Sequence, residues 1–351
     1  MGWRRSIFES LVRVFSLFVP KSSRPPISPQ RIFVLRNNDI GDLLVVTPLF
    51  EALKRTFPST EIVAGIGSWN LEVLIGNPYV DRVVTIDAPW HNHFVQPQTV
   101  LRALHFIFSS SETKRLRKLR IDVGIDVLGS GFGSLLLMCA RVPYRLGVRG
   151  YAGGESGVQA AIDYRPDIHV GRQALGFAEI LGCSDLPENR PQIFLEKPIQ
   201  SHGAIVIAPG AGLPEKGWPE SYFIELAHLL HGFKIAVVGS HQDARLAARM
   251  REKNADIVDL TGKVSLRECF AIVAGARLLI SNASMAMHAA AAFYRPAVIL
   301  LGQQFASAAA HYRQWGYPEA VHLGCEKDHP GIYCPDEAMA EIREVLSRLS
   351  A

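Results

Sequence analysis

Hydrophobic positions along this chain follow two rhythms. Short continuous apolar runs at Ile32–Leu35 and Val123–Leu128 read as buried strands, and those at Val83–Ile86, Ala204–Ala208, Lys234–Val238, Leu278–Ile280 and Ala297–Leu301 as further strands. Glu61–Gly65, Arg145–Val148 and Asp256–Asp259 read as shorter strands, and Ala297–Leu301 as the last one. Between these runs, apolar residues recur three and four apart and predict helices: one opening at Ile40 through Leu43, Val46, Leu49 and Leu53 with Pro48 inside it, then Trp69–Ile75, Thr99–Leu119, Ser134–Ala140 and His169–Leu181. Further helices are predicted over Ser221–Leu230, Ala244–Arg251, Leu266–Ala274 and Pro335–Leu349. Residues 88–98, with two prolines, Trp90, His91 and His93, read as a loop at a crevice edge, its histidines either contacting an acceptor or standing idle in solvent. Tyr151–Tyr164 is glycine-rich and polar and reads as a flexible loop. Residues 183–203 form an irregular bridge. Strand–helix alternation on each side of that bridge predicts an α/β protein of two Rossmann-like domains facing an inter-domain cleft. The domains are expected over 31–190 and 200–335, preceded by a basic N-terminal segment and linker at 1–30 and followed by a C-terminal helix at 336–351.

The N-terminal segment has its own pattern. Ile7, Phe8, Leu11, Val14, Phe15 and Phe18 recur at helical spacing, surrounded by Trp3, Arg4, Arg5, Arg13, Lys21 and Arg24. This is a basic amphipathic helix, suited either to an anionic membrane surface through residues 3–18 or to packing on the first domain. Glu9 and Arg13 interrupt any signal-peptide core, and no small-residue cleavage site follows. Ser22–Pro29 reads as a linker. The chain lacks the run of about eighteen apolar residues that a membrane-spanning helix needs. The expected location is therefore cytoplasmic, peripheral on the inner face of the membrane.

At 351 residues the chain exceeds one ordinary core, which agrees with two domains. The formal charge of +4 suits an anionic ligand or membrane and gives no reason to expect nucleic acid. Cys139, Cys183 and Cys269 lie in apolar contexts, as core residues of a reducing compartment do. Cys325 and Cys334 flank Asp328 and His329, which leaves a metal site open there, but no Cys-x-x-Cys pair supports it and no metal or cofactor is assigned. The basic run ending in Lys114–Arg120 is either a solvated helix face or a contact for a phosphorylated acceptor.

Candidate chemistry gathers at strand exits. After Ile32–Leu35, the turn through Asn38 and Asp39 leads into Ile40-Gly41-Asp42 at a helix start. In a parallel sheet that turn faces the ligand crevice. Gly41 allows close backbone approach, and Asp42 can either take a proton from a hydroxyl or cap the helix. After Ala204–Ala208 comes Pro209-Gly210-Ala211-Gly212, whose exposed amides can hold phosphate oxygens, with Lys216 following. A tight structural turn is the alternative; neither the Walker spacing nor GxGxxG is present, which argues against a nicotinamide-dependent oxidoreductase. Asp243 can bind a ribose hydroxyl or cap the next helix. His288, among alanines, is either a core histidine or a phosphate contact.

These residues carry a family resemblance. Arg36-Asn37-Asn38-Asp39-Ile40-Gly41-Asp42, Thr47-Pro48-Leu49, Phe57-Pro58 and Gly76-Asn77-Pro78-Tyr79-Val80-Asp81 resemble the opening motifs of glycosyltransferase family 9, the ADP-heptose:lipopolysaccharide heptosyltransferases and their relatives. Pro209-Gly210-Ala211 with Lys216-Gly217-Trp218-Pro219, Ser265-Leu266-Arg267-Glu268 and Asn282 to His288 resemble its later ones, in order from Arg31 to the C-terminus. The resemblance implies a GT-B fold and a metal-independent, inverting transfer from a nucleotide-diphosphate sugar, ADP-linked, to a lipopolysaccharide-type or other glycan acceptor. It implies Asp42 as general base and Lys216 as the cation on the leaving diphosphate. Gly210, Ala211, Gly212, Asp243, Val264, Asn282, Ser284 and His288 are implied on the donor side; Asn38, Asp39 and Gly41 are expected on the acceptor side. One departure stands out: where the family reads N-D-S-G-P-M-H, this chain has Asn282-Ala283-Ser284-Met285-Ala286-Met287-His288. The carboxylate that faces the donor sugar is replaced by Ala283, which supports the alternative of a non-catalytic sugar-nucleotide- or glycan-binding relative.

Overall fold

The computed structural model describes residues 9, 10, 12–197, 200, 201 and 203–349. Trp3, Arg4, Arg5, Ile7, Phe8 and Leu11 lie outside them. The chain divides into two compact units, Met1–Asn189 and Arg190–Ala351.

The first unit holds β1 (Arg31–Leu35), α1 (Ile40–Leu44), α2 (Pro48–Thr56), β2 (Glu61–Ile66), β3 (Arg82–Thr85), α3 (Val100–Ser109), α4 (Ser111–Lys118), β4 (Val123–Asp126), α5 (Gly131–Cys139), β5 (Tyr144–Arg149), β6 (Ala160–Asp163) and α6 (Val170–Ile180). Its strands form one parallel sheet in the order β3-β2-β1-β4-β5-β6, the doubly wound order with β1 and β4 side by side where the winding reverses. Ile32, Phe33 and Val34 of β1 are fully buried, as a central strand requires. The Phe33 ring lies over Gly65 of β2, where an added Cβ would come within 2.2 Å of it.

The second unit repeats the plan with β7 (Ile205–Ala208), α7 (Glu220–Leu229), β8 (Ile235–Val237), α8 (Ala244–Lys253), β9 (Val258–Asp259), α9 (Leu266–Ala274), β10 (Leu278–Asn282), α10 (Met285–Ala292), β11 (Ala297–Leu300), α11 (Ala308–Trp315), β12 (Ala320–Leu323) and α12 (Pro335–Arg348). Its parallel sheet runs β12-β11-β10-β7-β8-β9, the same winding with β7 and β10 adjacent at the reversal. The C-terminal helix α12 is part of this unit: Met339, Ile342 and Leu346 enter the core with Phe223 and Leu226 of α7.

Several expectations are corrected. The helix after β1 is two helices; Pro48, which has no N–H to give, begins the second. Thr99–Leu119 is also two, because Ser110 ends α3 and its hydroxyl accepts from Thr113 N at 3.1 Å to cap α4. Trp69–Ile75 is a short 3-10 turn over Ser68–Val73. The supposed flexible loop Tyr151–Tyr164 contains β6, an edge strand paired with β5. Ala297–Leu301 is not the last strand, since β12 pairs beyond it.

The described part of the N-terminal segment packs on the first unit. Val12 is fully buried, Phe15 meets the Phe108 ring edge-on at 5.9 Å, and the Glu9 carboxylate accepts from Gly154 N and from the Ser156 hydroxyl at 2.5 Å. The linker is fastened at both ends, by Ser22 N to Pro143 O at 2.8 Å and Thr60 Oγ1 to Pro29 O at 2.6 Å. Val14, Leu17 and Phe18 nevertheless stay exposed, Phe18 at 82%. Among the described residues no helix is long and apolar enough to cross a membrane.

Candidate active site

In the first unit the site forms where β1 and β4 end. Arg36 follows β1 directly, and its guanidinium is almost wholly buried. Nε donates to the Asp42 carbonyl at 3.0 Å and Nη2 to Asp42 Oδ1 at 3.0 Å. The Asp42 side chain keeps 29% exposure. It therefore does not cap the helix; an internal arginine aims it, with one carboxylate edge still facing solvent. Gly41 lies half-buried in the same turn. Asp39 occupies the N-cap position of α1, but its carboxylate turns outward to residues 88–98, accepting from His93 N at 3.1 Å and pairing with His93 Nδ1. Asn38 also holds that loop: Nδ2 donates to His91 O at 2.6 Å, while its carbonyl accepts from Trp69 Nε1 and Asn70 Nδ2, each at 2.9 Å.

Three residues near this turn escaped the sequence reading. Asp126, the last residue of β4, sits opposite Leu35 in register and is buried. Burial pushes its carboxyl up to about 6 against the pull of the Ser130, Gly129 and Leu128 amides and the Arg36 charge. Tyr151 lies 4.6 Å from the Tyr164 ring. Its hydroxyl is pushed above the ordinary value by burial first and then by Tyr164, and it feels the opposing charges of Arg36 and Asp42. Arg36 stood within a motif, but nothing local marked it as the partner of Asp42.

In the second unit, five strand exits meet around the glycine turn. Pro209–Gly212 follows β7, and an added Cβ on Gly210 would lie 3.2 Å from Asp243 Oδ2, so Asp243 stands beside the loop. Asp243 also closes a capping box, accepting from Ser240 N at 2.7 Å and Ser240 Oγ at 2.8 Å. The turn that leads to Val264 is tied to the β8 exit by Gly262 N to Gly239 O at 2.8 Å. Asn282, buried at the end of β10, braces the site: Nδ2 donates to Pro209 O at 2.5 Å and Oδ1 accepts from Trp218 N at 2.9 Å. Lys216 ends a 3-10 turn, Pro214–Lys216, and Gly302 beyond β11 donates to its carbonyl at 3.2 Å. Ala211 and Lys216 are half-buried and Gly212 is exposed, leaving loop surface for a ligand.

Ser284 stands at the N-cap of α10 without a side-chain cap bond, its hydroxyl 3.2 Å from Ser281 Oγ. The first amides of α10 thus face the β7–β10 reversal, where a helix start favours an anion. Ala283 is half-buried there and brings no charge. His288 points elsewhere. It is buried, with Nδ1 at 2.8 Å from the Tyr317 hydroxyl and its ring edge-on to Trp315 and Tyr317.

The residues between Cys325 and Cys334 are otherwise engaged. His329 stacks on Tyr333 and pairs with Glu337 at 3.4 Å, while Cys334 occupies the N-cap of α12. No group of three or more metal-ligating side chains occurs among the described residues. A concavity lined by Phe233, Lys234, Ile235, Asp256, Val258 and Ile272 lies by the residues leading into β8 and β9, away from the strand exits.

Known proteins resemble this chain along most of its length. The family model described as "Glycosyltransferase family 9 (heptosyltransferase)" matches residues 111–314. Lipooligosaccharide heptosyltransferase 2 of Haemophilus influenzae is 25% identical over 302 residues, spanning 77% of this chain and 83% of that protein. Lipopolysaccharide heptosyltransferase 2 of Salmonella typhimurium is 25% identical over 312 residues, spanning 78% and 82%. The structure of Escherichia coli ADP-heptose lipopolysaccharide heptosyltransferase II has a TM-score of 0.71 at 19% identity, covering 92% of this chain and all of that one. An Escherichia coli heptosyltransferase solved with ADP-2-deoxy-2-fluoro heptose gives 0.69 at 18% identity, covering 90% and 99%. At such identities the structural likeness speaks to the fold, which is α/β of GT-B type.

Proposed function

Because the chain belongs to glycosyltransferase family 9 and is a glycosyltransferase, we propose that it moves a heptose or related sugar, with inversion, from an ADP-linked donor to a lipopolysaccharide-type or other glycan acceptor. Asp42 is the general base: its carboxylate takes the proton of the acceptor hydroxyl. That oxygen forms the new bond to the anomeric carbon, and the bond to the diphosphate breaks with its electron pair leaving on the nucleotide. Lys216 with the amides of Gly210, Ala211 and Gly212 bears the departing charge, and the start of α10 at Ser284 adds to it. Asp243, beside Gly210, binds the ribose, Val264 lines the nucleoside, Asn282 acts by holding the glycine turn, and His288 supports α10 through its bond to the Tyr317 hydroxyl. Asn38, Asp39 and Gly41 shape the acceptor side.

The observation that carries this reading is the buried Arg36 clamp, which leaves an oriented, part-exposed carboxylate at a sheet reversal. The observation favouring a non-catalytic relative is Ala283 in place of an acid. Purified protein and Asp42→Ala, incubated with ADP-heptose and core oligosaccharide, separate the two. Transfer by the first and a loss of about 10²-fold or more in the second supports the base. Equal donor binding by both, with no turnover by either, supports the binding module.

We also assign the protein to the inner face of the cytoplasmic membrane. Support comes from the exposed Val14, Leu17 and Phe18 beside Arg13 and Lys21.

A further inference from the structure

We propose that the first unit carries an aromatic stacking subsite for a pyranose ring, formed by Phe94 lying on Trp69 and edged by the Asp39–His93 pair. It rests on the glycosyl-transfer reading in taking that pyranose to belong to the acceptor. The two rings are 4.6 Å apart and only 13° from parallel. Trp69 covers one face of Phe94, and the side chain is still 51% exposed. A large ring held flat with its surface in water is poor packing, yet it is how a protein presents a platform.

The platform is fixed rather than loose. Asn92 Oδ1 accepts from Phe94 N at 3.0 Å and Val95 N at 2.8 Å, and Asn92 Nδ2 donates to Ala88 O at 2.8 Å. Trp69 is held from behind by the Asn38 carbonyl. Both rings are therefore anchored to the turn that begins at Asn38 and ends at Asp42.

The chemistry around the ring suits a sugar. A pyranose has an apolar C–H face and a rim of hydroxyls; it needs a flat apolar surface with hydrogen-bonding groups at the edge. Phe94 supplies the surface. The Asp39 carboxylate accepts, and the half-exposed His93, residue 93 being the chain neighbour of Phe94, can donate or accept. At the start of that turn and just before it, Asn38 Oδ1 and Asn37 Nδ2 are buried without a partner among the described residues. These are polar atoms whose burial is costly until something bonds them. A lipid surface fits less well. The Asp39 carboxylate is bonded to His93, the residue before Phe94, whereas the exposed Val14, Leu17 and Phe18 lie among Arg13, Lys21 and Arg24.

The test uses the full-length protein with Phe94→Ala and Phe94→Tyr. The probes are a deacylated lipopolysaccharide inner-core oligosaccharide, methyl α-D-mannopyranoside and methyl α-D-glucopyranoside, read by saturation-transfer NMR. Retention on vesicles of phosphatidylglycerol and phosphatidylethanolamine and thermal shift with ADP-heptose are read in parallel. Phe94→Ala weakens oligosaccharide binding about tenfold, the worth of one well-placed aromatic contact, while Phe94→Tyr stays within about twofold of the parent. Melting temperature, donor shift and vesicle retention do not move. Sugar binding is read without turnover, so a failed transferase reading leaves it measurable. Equal binding by the parent and Phe94→Ala, no probe binding by the parent, or a loss confined to vesicle retention each overturns the subsite.

Discussion

Replacing Asp126 by Asn tests how the strand exits of β1 and β4 are held. The carboxyl lies at the end of β4, buried, with Ser130 N at 2.7 Å and the Ser130 hydroxyl at 3.4 Å. An added Cβ on Gly133 would come within 2.0 Å of its Oδ2, so α5 begins hard against it. Burial dominates and raises the carboxyl from an ordinary 3.8 to about 6. At about 1.4 kcal/mol per tenfold change in proton affinity, that rise corresponds to roughly 3 kcal/mol. The sign follows from proton counting. Between about pH 4 and pH 6 the folded state binds a proton that the unfolded state has released, so this group's contribution falls as pH rises through that window and is constant above it. Asn cannot ionise and keeps a carbonyl oxygen for the Ser130 amide. Its own lost hydrogen bonds shift stability by an amount that does not depend on pH. Urea denaturation of both proteins from pH 4.0 to 7.5 is therefore expected to show the stability of Asp126→Asn, relative to the parent, improving by about 2.5 kcal/mol across the window, the rest of the change lying below pH 4. A difference that stays flat from pH 4 to pH 7 refutes the reasoning: Asp126 would then be solvated or paired well enough to ionise normally.

Other outcomes follow from the same geometry. Arg36→Lys keeps the charge but not the two-point grip on Asp42, so kcat is expected to fall about tenfold or more with donor KM unchanged, as steady-state kinetics would reveal. Asn282→Ala leaves Trp218 N–H and Pro209 C=O without their buried partner. It is expected to cost about 2–4 kcal/mol and weaken donor binding, measured by denaturation and by thermal shift with ADP-heptose. His311 and His322, with Nδ1 atoms 2.9 Å apart, are held by burial down to about 4 and about 3. Their folded-state values lie below the unfolded one, so stability is present above about pH 6.5 and is lost as pH falls toward 4. His322→Gln should flatten that acid limb in a melting series, and an unchanged limb would count against the buried pair.

Much of the fold lay in the linear pattern. Apolar runs such as Ile32–Leu35 and Ala204–Ala208 became the central strands of the two sheets, because a strand covered on both faces must be apolar throughout. β6 and β12, whose residues are mostly half-buried, lack such a run, and the sequence does not mark them. Helix ends failed where a single side chain decided them, as Ser110 did. The candidate site divided in the same way. Gly210, Asp42 and Lys216 announce themselves through short motifs, since a turn of small residues or a carboxylate at a helix start is a local arrangement.

The sequence by itself determined the doubly wound class, the repeat of the plan in two halves, the strand exits at which chemistry gathers and the family motifs set on them. Only the tertiary structure decided which groups act together. Asn38 meets Trp69 at a separation of 31 residues, Asn282 meets Pro209 at 73, and Phe94 finds its stacking partner on the far side of β3 in the chain. It also settled that Asp243 stands against Gly210 while His288 turns into the core. The physical reason is that periodicity records how each segment meets water, whereas partners far apart in the chain are chosen by sheet order and by which buried polar atom has no cheaper bond within reach.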